Sequence, residues 1–157
     1  MPLVGFPVFG YGVHRMGIEH PVTYDRFMKH RSVLIVDDSA TMRRAVRRLF
    51  ETSGWEVVGE AENGKQGVQM AEELQPAVVT LDVAMPVMNG IDAAKQLIAD
   101  APHIQVIMCT AYGDDGLQRT LRQSGLRTVI SKTDAAELLV PTAEKLSMVM
   151  AFLLGTL

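Results

Sequence analysis

"SVLIVDDSATMRR", residues 32–44, decides how this chain folds. Four apolar side chains, Val33 to Val36, run without the alternation of a half-exposed sheet and end on two adjacent carboxylates, Asp37 and Asp38. Such a run reads as a strand covered on both faces, the habit of parallel sheets. Ser39 is placed to cap a helix running from about Ala40 to Thr52. Like charges side by side at the end of a buried strand are costly unless something positive offsets them, so this turn is the first candidate for chemistry.

The same unit recurs along the chain. "WEVVGEA" (55–61) precedes a helix opening at Asn63 and running to about Leu74. "AVVTLD" (77–82) leads through a loop containing Pro86, Asn89 and Gly90 to a helix near Ile91 to Ala99. "IQVIMCT" (104–110) leads to a helix from about Asp114 to Gln123, and "RTVIS" (127–131) to a last one from about Asp134 to Leu146. Five βα repeats predict an α/β fold: a five-stranded parallel sheet, doubly wound, with helices on both faces.

A chain of 157 residues buries enough surface for one domain without staples. With 48% hydrophobic and 21% charged residues it has the composition of a globular protein, not of a disordered or fibrous one. The formal net charge of −3 offers no whole-chain attraction to nucleic acid or an anionic membrane, so neither is an expected partner. The single cysteine, Cys109, sits in an apolar run and reads as a buried inert thiol; a reducing, cytoplasmic setting agrees with it. No stretch reaches the ~20 apolar residues that span a bilayer. Residues 1–31 lack helical or strand periodicity and form an extension. Its opening "MPLVGFPVFGYGV" has no basic segment before it and is broken by prolines and glycines, unlike a signal peptide. Met28 marks an alternative start that intact mass would distinguish. The ordered domain is expected over 32–147, with 148–157 an apolar tail that packs on the domain or on a partner, or else is an ordinary helix end covering the core.

In parallel sheets of this kind ligands bind beyond the carboxyl ends of the strands. Those ends carry Asp37 and Asp38, then Asp82, Thr110 and Lys132, with nothing comparable after the second strand. Three carboxylates and one ammonium group leave an excess of negative charge that raises a carboxylate pKa or calls for a cation. An all-oxygen ligand set with room for water suits Mg²⁺. A phosphoryl group could then arrive at one carboxylate while Lys132 and Thr110 bind its oxygens. Each residue alone also has a plain reading as a helix cap, a turn residue or a solvated charge; their joint occurrence at successive strand ends favours a site. His14, His20, His30 and His103 lack metal-ligand spacing.

The Asp37-Asp38 pair, "LDVAMPVMNG" around Asp82, "CTAYG" around Thr110 and "ISKTD" around Lys132 make the stretch from about Ser32 to Leu146 resemble the receiver domain of bacterial two-component response regulators. Order and separations agree too: 44 residues from Asp38 to Asp82, 28 on to Thr110 and 22 on to Lys132. The resemblance implies a flavodoxin-like fold and a phosphorylation switch. Asp82 would accept a phosphoryl group from a phosphohistidine on a sensor histidine kinase or phosphotransfer protein. Asp38, Asp82 and the Ala84 carbonyl would ligate Mg²⁺ directly, and Asp37 through water. Lys132 would pair with the phosphoryl oxygens, Thr110 would bond one after transfer, and Ala84 and Tyr112 would tune the lifetime of the acyl phosphate.

Some positions depart from the usual pattern. Val129 stands where an aromatic residue usually rotates with the threonine, which puts that rotamer switch in doubt, and Thr133 follows the lysine where proline is common. With only about ten residues after the last expected helix, no effector domain is expected within these 157 residues, so the expected output is binding of another protein, phosphate relay, or a homodimer through the fourth helix, fifth strand and fifth helix, a face that includes Arg119, Arg122 and Val129. Arg43, Arg44, Arg47 and Arg48 form two i, i+4 pairs of like charge, costing about 0.2–0.5 kcal/mol each unless acidic neighbours offset them. They read as a solvated face or as a docking surface for an acidic kinase or phosphotransfer bundle. The alternatives are a Mg²⁺-dependent phosphatase using an aspartyl phosphate, which would be expected to carry an acid where Ala84 stands, and a pseudo-receiver that binds without phosphorylation.

Overall fold

The structure, a computed structural model, describes residues 30–111 and 115–155. Its elements alternate as expected: β1 (Ser32–Val36), α1 (Ala40–Thr52), β2 (Glu56–Ala61), α2 (Gly64–Leu74), β3 (Val78–Asp82), α3 (Gly90–Asp100), β4 (Gln105–Thr110), α4 (Asp115–Gln123), β5 (Val129–Ser131) and α5 (Ala135–Leu153). All strand pairs are parallel and the sheet order is β2-β1-β3-β4-β5. The chain therefore winds outward from β1 in both directions, and the direction reverses between β1 and β3. A crevice opens at such a reversal, beyond the carboxyl ends of the two strands.

β1 and β3 are buried along their whole length, as their unbroken apolar runs require. Their side chains still alternate between two cores. Val33, Ile35, Val78, Ile107 and Cys109 pack with Val46 and Phe50 of α1 and Leu139 and Ala143 of α5. Leu34, Val36, Val79, Leu81 and Met108 pack with Val68 and Ala71 of α2 and Ala93, Ala94 and Leu97 of α3. Covering one face with α1 and α5 and the other with α2, α3 and α4, whose Leu121 is fully buried in the second core, leaves no strand of the sheet centre open to water.

Three helices begin on side-chain caps that the sequence makes legible: Ser39 accepts from the Met42 amide, Asn63 from Gln66 and Asn89 from Asp92. Two boundaries differ from the sequence expectation. β5 is only three residues long, since Arg127 and Thr128 lie before its ladder, although the Thr128 carbonyl still accepts from Met108. α5 runs to Leu153 and not to Leu146, so of the two readings of the tail the segment up to Leu153 is a helix end. Its continuation follows from a side-chain sequence, "LSMVMAFLL", free of glycine and proline. Ser147 and Ala151 remain buried there, while Met148, Val149, Phe152 and Leu153 are exposed.

Candidate functional site

The turn after β1 is built by Asp37. Its Oδ1 accepts from the Ser39 amide at 2.8 Å, which fixes the chain as it enters α1, and its Oδ2 lies 2.7 Å from Lys132 Nζ. Lys132 also lies 3.3 Å from Asp82 Oδ1 at the end of β3. The Lys132 amide donates to the Thr110 carbonyl at 2.8 Å, so the ladder between β4 and β5 carries one residue further and sets lysine and threonine side by side. Asp37, Asp82 and Thr110 are buried and Asp38 is exposed. The three aspartates each offer a carboxylate oxygen within 4.8 Å of the others, close enough to hold one metal ion between them.

Burial lifts the Asp82 carboxyl above its ordinary pKa; Lys132 opposes the shift and the Asp37 charge adds to it. For Lys132, burial works against the charged form, yet the hydrogen bond it donates to Asp37 and the charges of Asp82 and Asp37 outweigh it and its pKa rises. The buried Cys109 thiol, on the strand beside Asp82, is pushed up to about 11 by burial, which makes it inert. Lysine thus serves as the resident counter-ion for two carboxylates, and the exposed Asp38 is left facing water.

Among the remaining residues singled out from sequence, Ala84 is exposed in the loop after β3 and Val129 is half-buried against the α2 and α3 core. Arg119 and Arg122 line a concave stretch of α4 with Gln118 and Gln123. Tyr112 lies outside the described residues. The arginines of α1 divide into two sets. Arg43 pairs with Glu60 and Glu62 and donates to the Asp37 carbonyl, and Arg47 pairs with Glu60 and Glu51. These acids are the neighbours that offset like-charge repulsion along the helix. Arg47 holds the Glu60 carboxyl below its ordinary range through a hydrogen bond, against the opposing effect of burial. Arg44 and Arg48 are exposed.

Two residues of the segment that joins β3 to α3, the first residue of α3 and one in the loop before it, were not singled out as site residues from sequence. A Cβ built on Gly90 would lie 1.8 Å from the Asp82 backbone oxygen, so only glycine lets α3 start directly over the Asp82 peptide. Val87 has φ +67° and stands in a tight turn in which the Met88 amide donates to the Pro86 carbonyl at 2.7 Å. The "NG" pair was a signal for Gly90; nothing in the letters marks Val87, since β-branched residues avoid this conformation.

A sequence description of the response regulator receiver domain matches residues 33–143 of this chain. The chain belongs to that family. Among relatives, the chemotaxis protein CheY of Thermotoga maritima is 38% identical over 117 residues, which cover 74% of this receiver and 98% of that protein. Among solved structures, the response regulator domain of Thermotoga maritima CheB is similar at a TM-score of 0.68 and 30% identity, covering 74% of this chain and 95% of that one. A CheX–CheY–BeF₃–Mg²⁺ complex from Borrelia burgdorferi contains a chain similar at TM-score 0.61 and 29% identity, over 64% of this receiver and 76% of that chain. Receivers of this kind are signalling switches of two-component systems. Their shared fold carries the crevice between β1 and β3 in which the acidic cluster lies.

Proposed function

We propose that this receiver is a phosphorylation-driven binding switch in which Asp82 accepts the phosphoryl group. The observation that carries the reading is the lysine held by two buried carboxylates at the crevice of the sheet. A carboxylate is a sufficient nucleophile for phosphoryl transfer when positive charge gathers around the equatorial oxygens. In the proposed step an Asp82 oxygen attacks the phosphorus of a phosphohistidine on a sensor histidine kinase or phosphotransfer protein. The phosphorus–nitrogen bond breaks, the imidazole leaves, and an acyl phosphate remains on Asp82.

The donor set fits Mg²⁺, because hard carboxylate oxygens surround it and the exposed Asp38 leaves room for water. Asp38 and Asp82, with the Ala84 carbonyl, would hold the ion, and Asp37 would act through water; when bound, it supplies positive charge facing the phosphoryl oxygens. Asp37 meanwhile keeps Lys132 extended over the site through its 2.7 Å contact. Lys132 leaves Asp82 for the phosphoryl oxygens, and the Thr110 hydroxyl bonds one of them after transfer. Ala84 presents no polar group to orient an attacking water, so neighbouring bulk such as Tyr112 would set the lifetime.

The output would be a change of protein partner, a relay of phosphate or a dimer through α4, β5 and α5. The exposed Arg44 and Arg48, with Arg43 and Arg47 beside them, would receive an acidic kinase or phosphotransfer helix. No helix among the described residues is long and apolar enough to cross a membrane, and a cytoplasmic location suits both the free thiol and the kinase partner. Intact mass after incubation with Mg²⁺ and acetyl phosphate tests the reading. One labile phosphoryl group should appear, and it should be lost in the Asp82→Asn variant and without magnesium. Absence of any gain, from acetyl phosphate and from a phosphorylated kinase alike, would favour a pseudo-receiver.

A further inference from the structure

At the end of the sheet opposite the acidic cluster, where β1 and β2 begin, lies a cavity of about 220 Å³. Its walls include Trp55 and, from α5, Ser147, Met148 and Ala151, with His30 and Arg31 at the point where the chain enters the fold. Trp55 is 3% exposed and stacks edge-on against Phe50 at 5.4 Å, yet its indole Nε1 has no hydrogen-bond partner among the described residues; nor does Nε2 of His30. A buried indole N–H without an acceptor is destabilising, so a fold that keeps one beside a cavity is short of an acceptor there. Beside the cavity α5 exposes Met148 (63%), Val149, Phe152 (76%) and Leu153, an apolar face with no cover among the described residues.

The entry of the chain is tied to this same place. Ser147 donates to the His30 carbonyl, and Arg31 pairs with Glu144 at 3.2 Å. His30, to which the preceding chain is joined, therefore sits at the cavity. The residues before it include the apolar run Leu3 to Val13, "LVGFPVFGYGV", which carries two phenylalanines and a tyrosine. The residues between, 14–29, reach up to about 50 Å when extended. The exposed turns of α5 from Ser147 to Leu153 span only about 9 Å. Tethering of that kind raises the effective concentration of the run at α5 to the order of millimolar, which a separate copy of the protein would have to match by bulk concentration.

We propose that the segment Leu3–Val13 of the same chain covers the end of α5 and the cavity beside it, and supplies the acceptor that Trp55 Nε1 lacks. The cover removes the exposed Met148 and Phe152 from water and satisfies the indole at once. It forms a second functional surface, remote from the phosphorylation crevice, at which the extension competes with any apolar partner of α5.

Trp55 is the chain's one tryptophan, so its emission reads the cavity directly. A nitroxide placed through Gly10→Cys in the full chain quenches it at near contact, while the inert Cys109, 4% exposed, stays unlabelled. The expected result is several-fold quenching relative to the reduced label, constant on dilution, and relieved by Met148→Glu with Phe152→Glu, both at exposed positions. Quenching that grows with protein concentration would assign the face to a second copy and overturn the proposal. Emission equal with oxidised and reduced label would overturn it too. Phosphorylation of Asp82 plays no part in this readout.

Discussion

Gly90→Ala is the substitution that tests most directly how the fold builds the site. The added Cβ would meet the Asp82 carbonyl oxygen at 1.8 Å and the Asp82 carbonyl carbon at 2.8 Å. Both are backbone atoms of a fully buried strand and cannot rotate aside. The start of α3 or the end of β3 must move by about 1.2 Å to reach the 3.0 Å that Cβ atoms tolerate, against the Gly90 amide's own bond to Val83. Overpacking of this kind costs about 3 kcal/mol. For a slope of about 2 kcal/mol per molar urea, the midpoint falls by roughly 1.5 M. A displacement of about 1 Å in Asp82 lowers the rate of phosphorylation by acetyl phosphate on the order of 100-fold. Gly59→Ala serves as the comparison, because its Cβ meets the flexible end of Met70 at 2.5 Å, far from the crevice; it should lose about 1 kcal/mol and keep its phosphorylation rate. Urea titration and time-resolved intact mass read the two effects. A Gly90→Ala variant with unchanged midpoint and rate would refute the claim that helix α3 rests on the Asp82 peptide.

The electrostatics and the loop yield further expectations. Burial raises the Asp82 pKa, so the folded chain holds that proton more tightly than the unfolded chain, and the ionised carboxylate weakens the metal-free fold at neutral pH. Asp82→Asn should raise the urea midpoint at pH 7 without divalent cations, and the gain should shrink as the pH falls toward 4; a lower midpoint at pH 7 would contradict this. Glu60 has the opposite sign: its depressed pKa gives stability that is present above the ordinary carboxylate value and lost as the pH falls through the folded value. Glu60→Gln should cost about 1 kcal/mol at neutral pH, allowing for solvent screening of the half-exposed Arg47, and variant and parent should converge in acid, where a persistent difference would count against the ion pairs. Val87→Asn should add about 1 kcal/mol by relieving the left-handed backbone at a side chain that is 80% exposed and packs on little; an unchanged urea midpoint would show that the turn holds no strain.

The five apolar runs, the caps Ser39, Asn63 and Asn89, and the chemical groups ending each strand are all properties of short stretches, and the sequence by itself determines them. Parallel pairing follows from the same stretches, because runs without alternation need cover on both faces and repeated helices supply it. Which groups meet is another matter, since it depends on strands far apart in the chain. Only the tertiary structure decided that Asp37, not its neighbour Asp38, is the buried partner of Lys132, because the turn into α1 aims one carboxylate at β5 and the next at solvent. The arginines of α1 read from sequence as a solvated face or a docking surface, and only packing shows which acid offsets them, Glu60 of β2 pairing with both Arg43 and Arg47. The length of α5 escaped because past Leu146 the residues facing inward are the small Ser147 and Ala151 while the large apolar ones are exposed, so apolar size no longer marks the buried face, whereas the helix continues to Leu153. Local letters set what each segment is; the distances across the sheet, a product of packing all five strands at once, set what the segments do together.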